Sequence, residues 1–202
     1  MPTIILVRHG ETRWNREGRV QGHGDSPLTP KGAAQARAYG LRLRQMLGAG
    51  ILGDRREWRV VSSPLGRCAQ TTGILCEVAD LDFHSITFDD RLREVHTGEW
   101  SGLPKAELAA RHPGILESDG LDHWVFRCPG GESHQAVTNR LADWLAGLAP
   151  GDKVVAVSHG IAGRVLRGLY LGSDPDRAMR GDSPQDTLFL MEKGCIERIS
   201  VQ

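Results

Sequence analysis

Two short apolar runs in this chain end in the same way. Residues 4–7 (Ile-Ile-Leu-Val) are followed by Arg-His-Gly, and residues 154–157 (Val-Val-Ala-Val) are followed by Ser-His-Gly. A continuous run of β-branched and other apolar residues is typical of a strand buried on both faces of a parallel sheet. Ligands of such sheets bind outside the carboxyl ends of the strands. We therefore expect the two His-Gly pairs to face one crevice at the same edge of a sheet.

Helical patterns alternate with these strand patterns along the chain. Thr29 and Pro30 are residue types preferred at the N-cap and at the first position of a helix, so a helix is predicted to begin there. Further helices are predicted from Ser63-Pro64, over 137–148 and over 161–171, further strands at 59–62 and 85–88, and a closing hairpin at 187–191 and 196–201. This alternation predicts an α/β domain with a mostly parallel sheet.

The chain carries 25 Lys and Arg residues against 25 Asp and Glu residues. This balance gives no net attraction to nucleic acid or to an anionic membrane, so we expect neither as a partner. No apolar run approaches the length of a membrane span or a signal peptide, and the four cysteines form no paired motif. We predict a cytoplasmic protein with a single domain over 1–202 and a variable lid at residues 99–133.

Four basic side chains fall at predicted strand ends or one turn beyond them: Arg8, His9, Arg67 and His159. The planar guanidinium group of arginine matches the oxygens of phosphate. A zinc site would instead combine histidines with carboxylates or thiolates, and the eight histidines show no HExxH spacing. Gly160 stands where a helix should begin, so its N–H can also point at an anion. We therefore predict a phosphate site without a metal or another cofactor.

A phosphoryl group held by several cations can be attacked by the imidazole nitrogen of a histidine. The alkoxide that leaves then needs a proton, which a carboxylic acid with a raised pKa supplies. Glu94 is the candidate acid, because it follows a predicted strand and lies in a glycine-containing loop. Glu99 lies close to it in the sequence and competes for this role, and Glu11 is a third candidate.

The segments that carry this chemistry belong to a longer ordered pattern. It comprises Arg8-His9-Gly10-Glu11-Thr12 with Trp14-Asn15, Gln21-Gly22, Pro27-Leu28-Thr29 with Gly32, Ser62-Ser63-Pro64-Leu65 with Arg67, Leu92-Arg93-Glu94 with Gly98 and Trp100, Gly130-Gly131-Glu132-Ser133, and Ser158-His159-Gly160. This pattern runs through nearly the whole chain. It resembles the phosphatase-type branch of the histidine phosphatase superfamily, also called phosphoglycerate-mutase-like. The resemblance implies a three-layer α/β/α sandwich around a mostly parallel central sheet.

The resemblance also implies a role for each matching residue. His9 is the residue that becomes phosphorylated, and Glu94 is the proton donor. Water then attacks the phosphohistidine, with Glu94 acting as the base. The remaining implied roles are phosphate binding by Arg8, Arg67 and His159, assistance by Asn15 and the backbone of Gly160, and lining of the rim by Gln21 and Gly22.

The same catalytic centre can return the phosphoryl group to the substrate, as in a mutase, or give it to water. The phosphoglycerate mutases of the family carry an inserted basic segment after the acid residue, with an Arg-Tyr-Gly element and a paired-arginine element, both of which this sequence lacks. Its lid mixes both signs of charge and offers Trp124 and Phe126 as apolar surface. We therefore predict a metal-independent histidine phosphatase that hydrolyses small phosphorylated metabolites.

Three alternatives stay open. The first is a phosphoglycerate mutase. The second is a specialised phosphatase, such as an α-ribazole phosphatase, a fructose-2,6-bisphosphatase-like enzyme or a protein phosphohistidine phosphatase. The third is a non-catalytic module that binds phosphorylated ligands, and it ranks last because His9 and Glu94 are both present. A homodimer that pairs the last predicted strand, 196–201, is also open.

Overall fold

The computed structural model describes residues 1–48, 52–116 and 122–201. The strands are β1 (Thr3–Arg8), β2 (Trp58–Ser62), β3 (Thr87–Phe88), β4 (Lys153–Ser158), β5 (Thr187–Glu192) and β6 (Cys195–Ser200). The α-helices are α1 (Arg13–Arg16), α2 (Pro30–Gly48), α3 (Gly66–Ala79), α4 (Lys105–Arg111), α5 (His134–Ala146), α6 (Gly160–Leu171) and α7 (Pro175–Met179). Short 3₁₀ turns lie between them, among them Phe83–Ser85, Gly98–Trp100 and His123–Arg127.

Within the described part of the chain, six strands form a sheet in the order β3-β2-β4-β1-β5-β6. The first four of these run parallel, and the β5–β6 hairpin lies antiparallel beside β1. The predicted α/β fold with a mostly parallel sheet is therefore confirmed. The register pairs Arg8 with Ser158 and Ser62 with Val157. The carboxyl ends of β1, β4 and β2 consequently lie side by side.

Alternate residues of the buried strands face opposite helical layers, as the twofold repeat of a strand requires. Ile4 of β1 belongs to the same core as Leu166 of α6, and the buried face of α5 packs there too. Ile5, its neighbour on β1, belongs instead to the core that contains Leu75 of α3 and the buried face of α2. The sheet is thus covered on both faces, which confirms the three-layer sandwich.

Two predicted helix starts have different outcomes. Thr29 caps α2 as predicted, because its Oγ1 accepts the N–H of Gly32 at 3.0 Å. The next helix was predicted from Ser63 but begins at Gly66. The N–H of Ser63 donates to the carbonyl oxygen of Val157 at 2.9 Å. This bond continues the β2–β4 ladder and keeps the chain extended beyond the end of β2.

The less regular segments also differ from the prediction. The strand predicted at 85–88 is reduced to β3, because residues 83–85 form a 3₁₀ turn. The loop expected between Thr12 and Leu28 contains the short helix α1. Residues 117–121 of the predicted lid lie outside the described residues, including two of the acids in its mixed charge. Within the described ranges, no helix is both long and apolar enough to cross a membrane.

Candidate active site

A cavity of about 220 Å³ opens at the carboxyl ends of β1 and β4. It is lined by these predicted site residues: Arg8, His9, Asn15, Gln21, Gly22, Arg67, Glu94 and Gly160. His159 does not line the cavity, but its ring centroid lies 5.3 Å from that of His9. The structure thus brings together the residues to which the resemblance assigned a role, whereas Glu11, Glu99 and Phe126 do not line the cavity.

His9 follows β1 and is only 3% exposed. Its Nδ1 donates to the carbonyl oxygen of Gly10 at 2.8 Å, so the proton of the neutral ring is on Nδ1 and Nε2 keeps a free lone pair. Burial lowers the pKa of His9 well below its usual value, and the charges of Arg67 and Arg8 lower it further. A neutral imidazole with an unprotonated Nε2 is the form that a nucleophile needs.

His159 lies behind His9 at the end of β4 and is 2% exposed. Its Nδ1 accepts from Nε of Arg67 at 3.2 Å, and its Nε2 donates to Oγ of Ser63 at 2.8 Å. Burial first, and the charge of Arg67 second, lower the pKa of His159 well below its usual value. Both ring nitrogens are occupied by protein groups here, so a direct bond to phosphate from His159 stays a prediction.

Arg67 and Arg8 differ in how their guanidinium groups are used. Arg67 is 1% exposed, and its two Nη atoms donate to the carbonyl oxygens of Gly22 and Gly24 at 2.7 and 2.9 Å. These bonds fix the loop that forms one wall of the cavity. Arg8 donates through Nη1 to the carbonyl oxygen of Ser183, but its buried Nε has no partner among the residues that the structure describes. A buried donor of this kind is suited to receive an anion, since leaving it unpaired costs free energy.

Glu94 is held against the first turn of α6. Its Oε1 accepts the N–H of Ala162 at 2.9 Å, and its Oε2 accepts the N–H of Ile161 at 3.2 Å. Arg140 of α5 donates to the backbone carbonyls of Arg93 and Glu94 at 2.8 and 3.1 Å, which fixes the backbone of the loop. The carboxyl group therefore lines the cavity in a defined position. Its role as proton donor stays a prediction.

The predicted rim residues also shape the loop that carries them. Oδ1 of Asn15 accepts the N–H of Thr12 at 3.1 Å and closes the capping box of α1. Oε1 of Gln21 accepts from Oγ1 of Thr12 at 3.0 Å. Gly22 has φ of +49°, and a Cβ there would lie 2.1 Å from Oγ1 of Thr97. Only glycine fits at this position, so the close approach of the rim to the loop at Thr97 depends on it.

Arg164 and Ser183, which the sequence analysis did not select, link Arg8 and Gly160 at the strand ends to Asp122 in the predicted lid. Arg164 of α6 forms an ion pair with Asp122 at 2.8 Å and donates through Nε to Oγ of Ser183 at 3.1 Å. That hydroxyl group donates to the carbonyl oxygen of Gly160 at 2.8 Å, while the backbone of Ser183 accepts from Arg8. Arg164 follows Gly160 by four residues on one helical face, a spacing that could have indicated it. Ser183 lies in a loop and offers no such signal.

The rest of the lining, here called the distal wall, combines apolar and charged side chains. Its apolar members are Val20, Val95, Trp124, Val125 and Ile161, and its charged members include Arg19, Asp122 and Arg164. Lys105 also lines this wall, with Nζ 5.6 Å from the ring centroid of Trp124. In the segments that the structure describes, no group of three or more His, Cys, Asp or Glu side chains could hold a metal ion.

Known proteins provide an independent comparison with this chain. Residues 4–190 match the sequence profile of the histidine phosphatase superfamily, branch 1. "Probable phosphoglycerate mutase GpmB" of Salmonella paratyphi B is 39% identical over 175 residues, which cover 85% of this chain and 76% of that protein. A mycobacterial glucosyl-3-phosphoglycerate phosphatase solved with VO3 is 27% identical, with a TM-score of 0.79 over 100% of both chains. YhfR of Bacillus stearothermophilus is 26% identical, with a TM-score of 0.78 over 99% of this chain and 96% of that one. The chain therefore belongs to the histidine phosphatase superfamily.

Proposed function

We propose that this enzyme hydrolyses phosphate monoesters of small metabolites through a phosphohistidine on His9. The observation that carries the proposal is the state of His9 in its cavity. The ring is neutral, with its proton fixed on Nδ1 by Gly10, and it lines the same cavity as Arg8, whose Nε has no partner among the described residues. A nucleophile and a phosphate donor thus line the same cavity.

The proposed reaction has two steps. In the first, Nε2 of His9 attacks phosphorus, the ester P–O bond breaks, and Glu94 protonates the oxygen that leaves. Arg8 and one remaining N–H of Arg67 donate to the phosphoryl oxygens and stabilise the charge of the transition state. In the second step, a water molecule loses its proton to Glu94 and attacks the phosphohistidine. The N–P bond breaks, and inorganic phosphate leaves with His9 neutral again.

The composition of the distal wall supports water as the final acceptor. A mutase has to retain an intermediate with two phosphate groups, which requires free cations around the leaving group. Here Arg164 is paired with Asp122, and Arg19 is paired with Glu17 at 2.9 Å. Lys105 is the one cation of this wall without an ion pair among the described residues. The mycobacterial neighbour is named a phosphatase and binds VO3, an anion that resembles phosphate, which supports the same reaction here.

Phosphoglycerate mutase activity is the second candidate. The specific observation in its favour is the name of the Salmonella relative, which shares 39% identity over most of both chains. Both activities would use the same histidine and the same phosphate donors, so the catalytic centre does not separate them. The two activities differ instead in the residues of the distal wall and in the acceptor of the phosphoryl group, which is water for a phosphatase and the substrate for a mutase.

A comparison of two rates tests the proposal. We expect release of inorganic phosphate from a panel of phosphate monoesters, including p-nitrophenyl phosphate, and no release by His9→Ala. The conversion of 3-phosphoglycerate to 2-phosphoglycerate, primed with a bisphosphoglycerate, is measured on the same preparation. Mutase turnover that exceeds phosphate release would overturn the assignment as a phosphatase. Phosphate release that survives in His9→Ala would overturn the mechanism.

Location and assembly are separate proposals. We place the enzyme in the cytoplasm, which is consistent with the four cysteines being free, three of them buried. Small phosphate monoesters are its proposed partners. We also propose one domain over 1–202, and a homodimer that pairs β6, the outer strand of the sheet. Light scattering of the purified protein during gel filtration tests the dimer, and a monomer at all concentrations would refute it.

A further inference from the structure

A second cavity, of about 250 Å³, lies between α6, α7 and the β5–β6 hairpin. Four guanidinium groups line it, those of Arg164, Arg167, Arg177 and Arg198. One carboxylate, that of Asp182, accompanies them. The cavity therefore concentrates positive charge in a protein that has no net charge.

Two of the four arginines are neutralised by ion pairs. Nη2 of Arg198 bonds a carboxylate oxygen of Asp182 at 2.8 Å, with a second bond through Nη1. Arg164 is paired with Asp122 at 2.8 Å. Arg167 and Arg177 have no carboxylate partner in the residues that the structure describes. Two of the four positive charges of the cavity consequently lie outside any described ion pair.

Arg167 is unusual among these cations because it is buried, with only 9% of its surface exposed. Its guanidinium carbon lies 3.9 Å from the ring centroid of Phe189, and Nη2 donates to the carbonyl oxygen of Asp182. Buried arginines are normally paired with an acid, since an isolated buried charge is costly. Burial lowers the pKa of Arg167 to about 10. The carboxylate of Asp182, which also pairs with Arg198, acts on Arg167, and an anion bound in the cavity would add to this countercharge.

We propose that this cavity binds a small dianion that carries an apolar body, such as an organic phosphate or phosphonate. The two unpaired guanidinium groups match two negative charges. Phe189, Ile196 and Leu171 supply the apolar lining, and Leu171 is a large apolar side chain that is 46% exposed. The site is distinct from the catalytic cavity, because none of His9, Arg67 and Glu94 lines it.

The two cavities share one residue, Arg164. A dianion in the second cavity would compete with Asp122 for this guanidinium group. Asp122 also accepts from Nε1 of Trp124 at 3.3 Å, and Trp124 forms part of the distal wall of the catalytic cavity. The second site is therefore placed to change the affinity for substrate as well as to bind an anion.

Isothermal titration with phenylphosphonate in phosphate-free buffer tests the proposal. This probe is an aromatic dianion whose C–P bond resists hydrolysis. We expect the wild-type protein to bind two molecules, one in each cavity. Arg177→Ser should raise the dissociation constant of one site roughly tenfold, the effect of losing one charge-assisted hydrogen bond. The other site should change much less, because Arg177 does not line the catalytic cavity. Arg167→Met should weaken the same site at least as much.

Arg180→Ser is the matched control, because Arg180 is exposed and close in sequence but does not line the cavity. It should bind as the wild type does. Arg177 is exposed, so Arg177→Ser should fold and still test the proposal if the variant at the buried Arg167 unfolds. Binding that neither the Arg177 nor the Arg167 variant weakens, whether the wild type takes up one molecule or two, would overturn the proposal. Release of p-nitrophenol is measured separately, so a failure of the catalytic assignment would not be confused with a failure of this site.

Discussion

Mild acid is expected to destabilise this protein through the two buried histidines of the site. The pKa values of His9 and His159 are well below the usual 6.5, because burial and then Arg67 disfavour the imidazolium forms. In the unfolded chain both side chains take up a proton as the pH falls through about 6.5. The folded-state pKa is the lower one, so the unfolded state binds more protons below neutrality. The contribution of these two histidines to the free energy of unfolding is therefore fully present above about pH 7 and is lost as the pH falls below it.

The size of the effect follows from the number of protons. One histidine that stays neutral in the folded state lowers the protein's free energy of unfolding by about 1.4 kcal/mol as the pH falls from 7.5 to 5.5. If His9 and His159 both stay neutral when folded, the free energy of unfolding falls by about 2.7 kcal/mol over this interval. A loss of this size is a large part of the 5–15 kcal/mol that is typical of a domain, so it is easily measured by unfolding in urea.

The assay compares the wild type with the double variant His9→Gln, His159→Gln. Each protein is unfolded in urea at pH 7.5 and at pH 5.5, in buffer without phosphate, since a bound anion would stabilise the folded state by itself. The free energy of unfolding should fall by about 2.7 kcal/mol more in the wild type than in the variant. His9→Gln alone should remove about half of this difference. Equal losses in the wild type and the double variant would refute the reasoning.

Three further substitutions give sharp expectations. Glu94→Gln should lower kcat for alkyl phosphates by about 100- to 10,000-fold, but much less for p-nitrophenyl phosphate, whose leaving group needs no proton; equal losses would contradict the donor role. Gly10→Ala places a Cβ 2.3 Å from the carbonyl oxygen of Gly32 and should lower the free energy of unfolding in urea by about 2 kcal/mol or more. Gly163→Ala, whose Cβ meets Leu6 at an ordinary 3.6 Å, should stabilise α6 by roughly 0.5–1 kcal/mol. An unchanged free energy of unfolding in Gly10→Ala, or a lower one in Gly163→Ala, would contradict the packing at these glycines.

The central strands could be predicted from the sequence because they are buried on both faces. Their apolar runs have no polar interruption, and β1 and β4 lie within one residue of their predicted bounds. The bounds of β3, the edge strand opposite β6, were predicted less accurately, because both of its residues are exposed and carry no periodic signal. The start of α3 was missed because the bond from Ser63 to Val157 determines it. Such a contact joins residues far apart in the sequence and leaves no local pattern.

The candidate site could be predicted where each residue ends a strand or follows one closely. Arg8 and His9 are in this class, and the parallel sheet brings them to His159 without further assumptions. Ser183 could not be predicted, because its position depends on hydrogen bonds to α6 and to Arg8 at the end of β1. The sequence also could not indicate that both ring nitrogens of His159 are occupied, since this depends on where Arg67 and Ser63 lie in three dimensions.

The two arginines of the site use their N–H groups differently. Arg67 uses most of its N–H groups on loop carbonyls and on His159, so it builds the wall and, after burial, disfavours the charged form of that histidine. Arg8 keeps a buried Nε without a partner and is fixed by the backbone of Ser183. The unpartnered Nε of Arg8 therefore belongs to the residue that directly precedes His9 at the end of β1. We propose that a phosphoryl group bound by Arg8 is placed next to His9, which is the one of the two site imidazoles whose Nε2 carries no proton.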